Sequence, residues 1–314
     1  MREESFIRQL RPAIPALPSA TFCVPPPADL RTALEDFYLS RRALRLSPAT
    51  LEHYRYTAGE FVTWLESQGV SSLSDVRALH VRAWLAAVSE RGVKDTTLHA
   101  KARGVKTLLR FWHSEGYIPQ AIVFAMPKLE KKRLPFLGAE KFRAVFKACS
   151  TPRDRALLLV FADSGVRRAE AVALNWEDVD FATGSLLVRR GKGGKARMSA
   201  IGARSRRAIL GYRRTLPAPP QPSAPLWQTR DGMRLTQRGV QALFARLSKR
   251  AGLKATPHAL RHTFALMSLR QGMDLITISR LMGHATTGMT SHYLMLEDSD
   301  LLRSHQAHGL DSWL

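Results

Sequence analysis

The chain has 314 residues, enough for two domains of ordinary size, and carries 48 Lys and Arg against 26 Asp and Glu, a formal net charge of +22. No apolar run approaches the roughly 18 residues of a membrane span. The opening "MREESFIRQL" has acids where a signal peptide has a basic and then an apolar stretch, and Cys23 and Cys149 form no metal motif. These features argue against a secreted, disulfide-stapled or membrane-spanning protein and predict a cytoplasmic one. The charge calls for a polyanionic partner, nucleic acid before an anionic membrane surface.

Residues 1–27 hold Pro12, Pro15, Pro18, Pro25, Pro26 and Pro27, a density that blocks helix and ladder alike, so a flexible tail is predicted. Helical periodicity then begins with Leu30, Leu34 and Phe37 on one face. Ser47-Pro48 opens a second helix as N-cap and first-turn proline, with the stripe Leu51, Tyr54, Ala58, Phe61 and Leu65. A third helix carries Val81, Trp84, Leu85 and Val88, and a fourth runs from about Asp95 to His113. The fourth has two stripes: Leu98, Ala102, Val105 and Leu109 for a core, and His99, Arg103, Lys106 and Arg110 around the axis from it. The basic stripe reads either as a solvated face or as a helix lying on DNA phosphates, and the net charge favours the second.

"MPKLEKKRLPF" (126–136) breaks the helical pattern with two prolines and a charge cluster and reads as a linker. The expected organisation is therefore a tail over 1–27, a four-helix domain over 28–125, a linker over 126–136 and a second domain over 137–314. In the second domain, helices are predicted near 139–148 and 153–163. The segment "SLLVRRGKGGKARMSAI" (185–201) predicts two short strands around a glycine-rich turn. Further helices are predicted at 205–214, 236–251, 258–271, 274–281 and around Tyr293. The fold class is thus mostly α, with a small antiparallel sheet in a mixed α+β second domain.

Four separated pieces carry chemistry. "SGVRRAEAVAL" places Arg167 near a helix start; "GKGGKAR" places Lys192 on a hairpin turn; "TPHALRHTF" puts His258 and Arg261 on one helix face; "LMGHATTGMTSHY" adds His284 and, nine residues on, Tyr293. Each alone reads equally as a surface arginine, a turn lysine, a first-turn histidine or a core tyrosine. His258 and His262 stand four apart but have no Glu between them and no third ligand at a familiar spacing, so no metal and no cofactor are predicted. Together, two arginines, a lysine and two histidines suit a phosphate, and a tyrosine suits attack on it. The arginines would meet the extra charge on the non-bridging oxygens, and a lysine on a hairpin tip would protonate the departing 5′-oxygen.

In order, spacing and flanking residues these pieces resemble the tyrosine recombinase (lambda-integrase-like) family over about residues 28–300. Met282 stands where the family more usually has Leu before the Gly-His pair. The resemblance implies that Arg167, Lys192, His258, Arg261, His284 and Tyr293 form the catalytic set, with Glu170 as a supporting acidic residue. It implies that the four-helix domain is the family's SAM-like core-binding domain and that the two domains close on duplex DNA as a C-shaped clamp. It further implies a 3′-phosphotyrosine, a Holliday-junction intermediate, and a homotetramer on two DNA sites that is a monomer or weak oligomer when free. The chemistry would need neither metal nor ATP. A cytoplasmic protein, nucleoid-associated when bound, is expected. The short tail and the short Lys192–His258 interval point to a Xer-like, plasmid, transposon or simple-phage member. A type IB topoisomerase-like enzyme and a DNA-binding architectural protein are the rivals, separated from it by strand exchange between two sites and by a trapped covalent adduct.

Overall fold

The computed structural model describes residues 29–129, 136–189 and 196–283. The expected tail over 1–27, Lys192, His284, Tyr293 and the carboxy-terminal stretch after them lie outside the described residues. The chain divides into two units, residues 1–131 and 132–314.

In the first unit, α1 (Leu30–Ala43) starts where Asp29 accepts the Thr32 amide at 2.8 Å. Ser47 does the same for α2 (Pro48–Tyr54), with Pro48 in the first turn as its sequence predicts. The second predicted helix is one run of three parts: α2, a π-helical turn over Arg55–Gly59, and α3 (Glu60–Ser67). The π turn is a departure from the regular stripe. It centres on Thr57, whose hydroxyl donates to the His53 carbonyl at 2.8 Å and lies against Gly104. A Cβ at Gly104 would fall 2.6 Å from the Thr57 Cβ, so the glycine lets two helices meet at backbone distance. Then follow α4 (Ala78–Glu90) and α5 (Asp95–Ser114). Phe37, Phe61, Trp84 and Trp112 fill the centre, each at most 0% exposed.

In the second unit, α6 (Ala139–Lys147) precedes α7 (Pro152–Ser164), whose residues Ala156–Phe161 are all buried, so α7 is the central rod of the core. The short α8 (Arg168–Ala173) follows. Strands β1 (Ser185–Val188) and β2 (Arg197–Ala200) pair antiparallel, Ser185 opposite Ala200 and Val188 opposite Arg197. Next come α9 (Ala203–Arg213), α10 (Gln237–Ala251), α11 (Pro257–Arg270) and α12 (Leu275–Met282). Trp176, Tyr212 and Trp227 stack in series with ring centroids 6.0 Å apart and tie the loops after α8 and α9 to the core. The described residues are mostly helical with one two-stranded sheet, the fold class the sequence predicts. Among them no helix is long and apolar enough to cross a membrane.

Candidate active site

The Arg167 turn is shaped by glycine. Gly165 ends α7 in the left-handed region, φ 59°, and a Cβ there would lie within 3.1 Å of three atoms of the Phe264 ring on α11. Only glycine both makes the turn and admits α11 so closely. Val166 is then buried, and Arg167 occupies the N-cap position of α8. The Arg167 amide donates to Glu170 Oε2 at 2.7 Å and its Nη1 to Glu170 Oε1 at 2.8 Å. Arg168 donates to Gln237 and Gln241 of α10 at 3.3 Å each, while Arg167 is the arginine of the pair that turns to Glu170 and the end of α12.

Thr256 caps α11 by accepting the Ala259 amide at 3.0 Å, with Pro257 in the first turn. This start places His258 on the first turn, its ring partly covered and partly open to solvent, and Arg261 one turn later, buried. Arg261 donates through Nη1 to the Gly165 carbonyl and through Nη2 to the Met282 carbonyl at 2.8 Å. Partial burial of the imidazole, and then the Arg261 charge, hold the His258 pKa below its ordinary value. His258 is thus neutral near pH 7 and suited to accept a proton.

The far end of α12 is where these pieces converge. α12 stops at Gly283, φ 66°. The Leu281 carbonyl accepts from Arg197 Nε at 3.0 Å, and the Met282 carbonyl from Arg167 Nη1 at 3.3 Å as well as from Arg261. The Gly283 carbonyl accepts from Arg167 Nη2 at 2.8 Å. Unsatisfied carbonyls give a helix C-terminus partial negative charge, which favours cations there. Glu170 lies beneath, 4% exposed, gripped on both oxygens by Arg197 at 2.8 Å as well as by Arg167. Burial would raise its pKa, but the Arg197 bonds, followed by those of the Arg167 amide and guanidinium, outweigh it and pull the value down to about 2. Glu170 is therefore a fixed anion at any physiological pH.

Arg167, Arg168, Lys254, His258 and Arg261 line one cleft of about 760 Å³. Its charged lining is cationic, which suits a phosphate. The structure thus brings together Arg167, Glu170, His258 and Arg261; Lys192, His284 and Tyr293 cannot be placed with them, since they fall outside the described residues. Among the described residues no group of three or more His, Cys, Asp or Glu side chains could hold a metal ion. Arg197 is the residue sequence reasoning missed. In β2 it points inward with Ser199, while Met198 is 51% exposed, the reverse of what hydrophobicity suggests.

In the first unit the basic stripe of α5 is only partly open. Arg103 and Arg110 are exposed and Lys106 is half-buried, but His99 is engaged through Nδ1 with the Pro127 carbonyl at 3.0 Å. Leu98, expected in the core stripe, is half-buried, and Leu108 and Trp112 extend that stripe instead. Lys101, unremarked in the sequence, is buried against Glu60 with its ammonium 4.0 Å from the Tyr56 ring centroid.

The phage integrase family profile matches residues 135–300, and the phage integrase N-terminal SAM-like domain matches 34–116. The chain is 32% identical over 304 residues to the tyrosine recombinase XerC of Mesorhizobium japonicum, covering 91% of this chain and 97% of that protein. It is 31% identical to XerC of Oceanobacillus iheyensis, covering 84% and 92%. In fold it resembles the Tn1549 transposon integrase in complex with a circular intermediate DNA, with a TM-score of 0.71 at 18% identity, covering 90% of this chain and 99% of that one. It also resembles a lambda integrase dimer bound to a COC′ core site, with a TM-score of 0.68 at 19% identity, covering 84% and 77%.

Proposed function

The chain belongs to the phage integrase family of tyrosine recombinases, and we propose that it is a Xer-like site-specific DNA recombinase that cleaves and rejoins DNA through a 3′-phosphotyrosine. The observation that carries this reading is the joint anchoring of Arg167 and Arg261 on the Met282 carbonyl, at the helix end that leads directly to His284. Two guanidiniums fixed to one point of main chain are preorganised for the oxygens of a single phosphate. The Tyr293 phenol attacks phosphorus, its proton passing to neutral His258. The bond from phosphorus to the 5′-oxygen breaks, and Lys192 protonates that oxygen. Arg167 and Arg261 balance the charge of the pentacoordinate state, and His284 hydrogen-bonds the phosphate.

The phosphotyrosine conserves the energy of the broken phosphodiester bond, so a 5′-hydroxyl from a second duplex displaces the tyrosine without ATP. Two sites would be exchanged through a Holliday junction by four protomers. No step in this scheme calls on a metal, and cleavage should persist in excess EDTA. Residues 28–125 would act as the core-binding domain, 126–136 as linker and 137–314 as catalytic domain, with Arg103, Lys106, Arg110 and His99 on the DNA side. A cytoplasmic location, on the nucleoid when bound, fits this role.

The test is a nicked suicide substrate carrying a cognate site. Wild type should accumulate a covalent adduct, while Tyr293→Phe should bind the DNA and form none; an adduct from Tyr293→Phe would remove the tyrosine assignment. Exchange between two duplexes then separates a recombinase from an enzyme that only relaxes one.

A further inference from the structure

Glu170 has four acceptor positions filled. Oε1 accepts from Arg167 Nη1 and Arg197 Nη1, both at 2.8 Å; Oε2 accepts from the Arg167 amide at 2.7 Å and Arg197 Nη2 at 2.8 Å. Arg197 therefore takes the two-pronged pairing that a carboxylate offers to one guanidinium. Arg167 is left with a single guanidinium bond to Glu170 and spends its Nη2 on the Gly283 carbonyl at 2.8 Å. Arg197 is 11% exposed in its side chain and also donates Nε to the Leu281 carbonyl at 3.0 Å. It is packed under the end of α12 as well: a Cβ on Gly283 would lie 2.7 to 2.9 Å from Arg197 Cδ, Nε and Cζ.

We propose that Arg197 is a positioning residue for DNA cleavage: by occupying both oxygens of Glu170 and seating the end of α12, it keeps the Arg167 guanidinium on the phosphate side instead of folded onto Glu170. The physical reason is competition. A buried carboxylate draws the nearest guanidinium into its bidentate geometry, and the attraction is strong where water is scarce. With Arg197 gone, Arg167 is the nearest guanidinium. Turning onto both Glu170 oxygens would cost it the Met282 and Gly283 carbonyls and the orientation they fix. Lysine cannot substitute, since an ammonium is a point charge and cannot hold both oxygens and the Leu281 carbonyl in one plane.

This inference rests on the recombinase reading, and the experiment separates the two. Full-length protein is assayed in single-turnover cleavage of a suicide substrate. One version has an ordinary scissile phosphodiester. The other has a methylphosphonate, in which an uncharged methyl replaces one non-bridging oxygen. If wild type cleaves neither, the recombinase reading fails before Arg197 is at issue. With wild type active, Arg197→Met should lose cleavage on the order of 100-fold on the phosphodiester, the scale of a misplaced positioning contact. DNA affinity should stay within about twofold, because the long-range charge on the duplex is nearly unchanged.

On the methylphosphonate, the charge that Arg167 answers is reduced, and the defect of Arg197→Met should shrink alongside that of Arg167→Ala. Adding Glu170→Gln to Arg197→Met should recover part of the loss, because a neutral amide does not draw Arg167. If Arg197→Met folds poorly, Arg197→Lys, which keeps the charge, supplies the same comparison. A variant that cleaves like wild type overturns the proposal. So does one that is equally slow on both substrates while its thermal transition falls, since that is the behaviour of an ion pair serving stability alone.

Discussion

Glu170 and His258 show how far a single side chain's environment decides what it can do. Glu170 titrates at about 2 in the fold against roughly 4.3 when unfolded. A carboxylate with a depressed folded-state pKa stabilises the protein above the unfolded value, and that contribution is lost as pH falls toward the folded one. Glu170→Gln should therefore cost on the order of 3 kcal/mol at pH 7, with the gap to wild type closing between about pH 5 and 2. Urea unfolding across that range measures it, and a pH-independent gap would mean the effect is packing. His258 moves the opposite way from a salt-bridged histidine, with its pKa lowered by burial and by Arg261. The acid limb of the cleavage rate should accordingly fall with an inflection below the ordinary imidazole value, and His258→Gln should abolish that limb. A limb above that value would contradict the proton-acceptor role. Arg167, His258 and Arg261, which line one cleft, could be singled out as candidates because each sits in a motif with fixed spacing. Arg197 was not, because its burial depends on Glu170, 27 residues away in sequence, and hydrophobic patterning places Met198 inside in its stead.

At the level of elements, the cap at Ser47 made one helix start readable, and two further starts carry the same pair of residues. Ser47, Thr151 and Thr256 each accept the amide three residues on and are each followed by proline, so the sequence carries both the N-cap and the first turn. The π turn at Arg55–Gly59 left no such mark; at its centre Thr57 meets Gly104 of α5, a contact between distant segments. Gly104→Ala gains helix propensity worth about 1 kcal/mol but overpacks Thr57 by more. The net expectation is a loss of about 1–2 kcal/mol and a lower thermal midpoint; Gly104→Ala in a Thr57→Ala background should instead be neutral or stabilising. α5 also offers a test on DNA. Arg103→Ala and Arg110→Ala should each weaken binding and reduce the slope of log affinity against log salt by about 1. His99→Ala should leave the slope unchanged, since its Nδ1 is spent on the Pro127 carbonyl. Equal slopes for all four proteins would show that α5 faces solvent.

For the whole molecule, the net charge of +22 was the first sign of a polyanionic partner, and most of it lies in the second of two units that each have their own aromatic core. Fold class was readable because periodicity and caps are local. The assembly was not, because nothing local encodes a partner protomer. The carboxy-terminal "LLRSHQAHGLDSWL" (301–314), outside the described residues, ends in Leu310, Trp313 and Leu314. Its apolar end suits either packing on its own domain or, as the family resemblance implies, docking on a neighbouring protomer, and the second reading makes the sharper prediction. Deleting 300–314 should then spare single-site binding and the circular dichroism signal while cooperative assembly on paired sites and recombination fall together. Loss of the thermal transition on deletion would make the segment part of its own domain's core.

The arginines at the end of α12 are held by carbonyl oxygens, which every residue possesses. The anchor is therefore written in backbone shape and not in side-chain identity. The side chains at positions 281 and 282 can change without moving the arginines, provided the replacement still fills its pocket, as Met282 does at 0% exposure. Only Gly283, whose missing side chain makes room for Arg197, is denied that latitude.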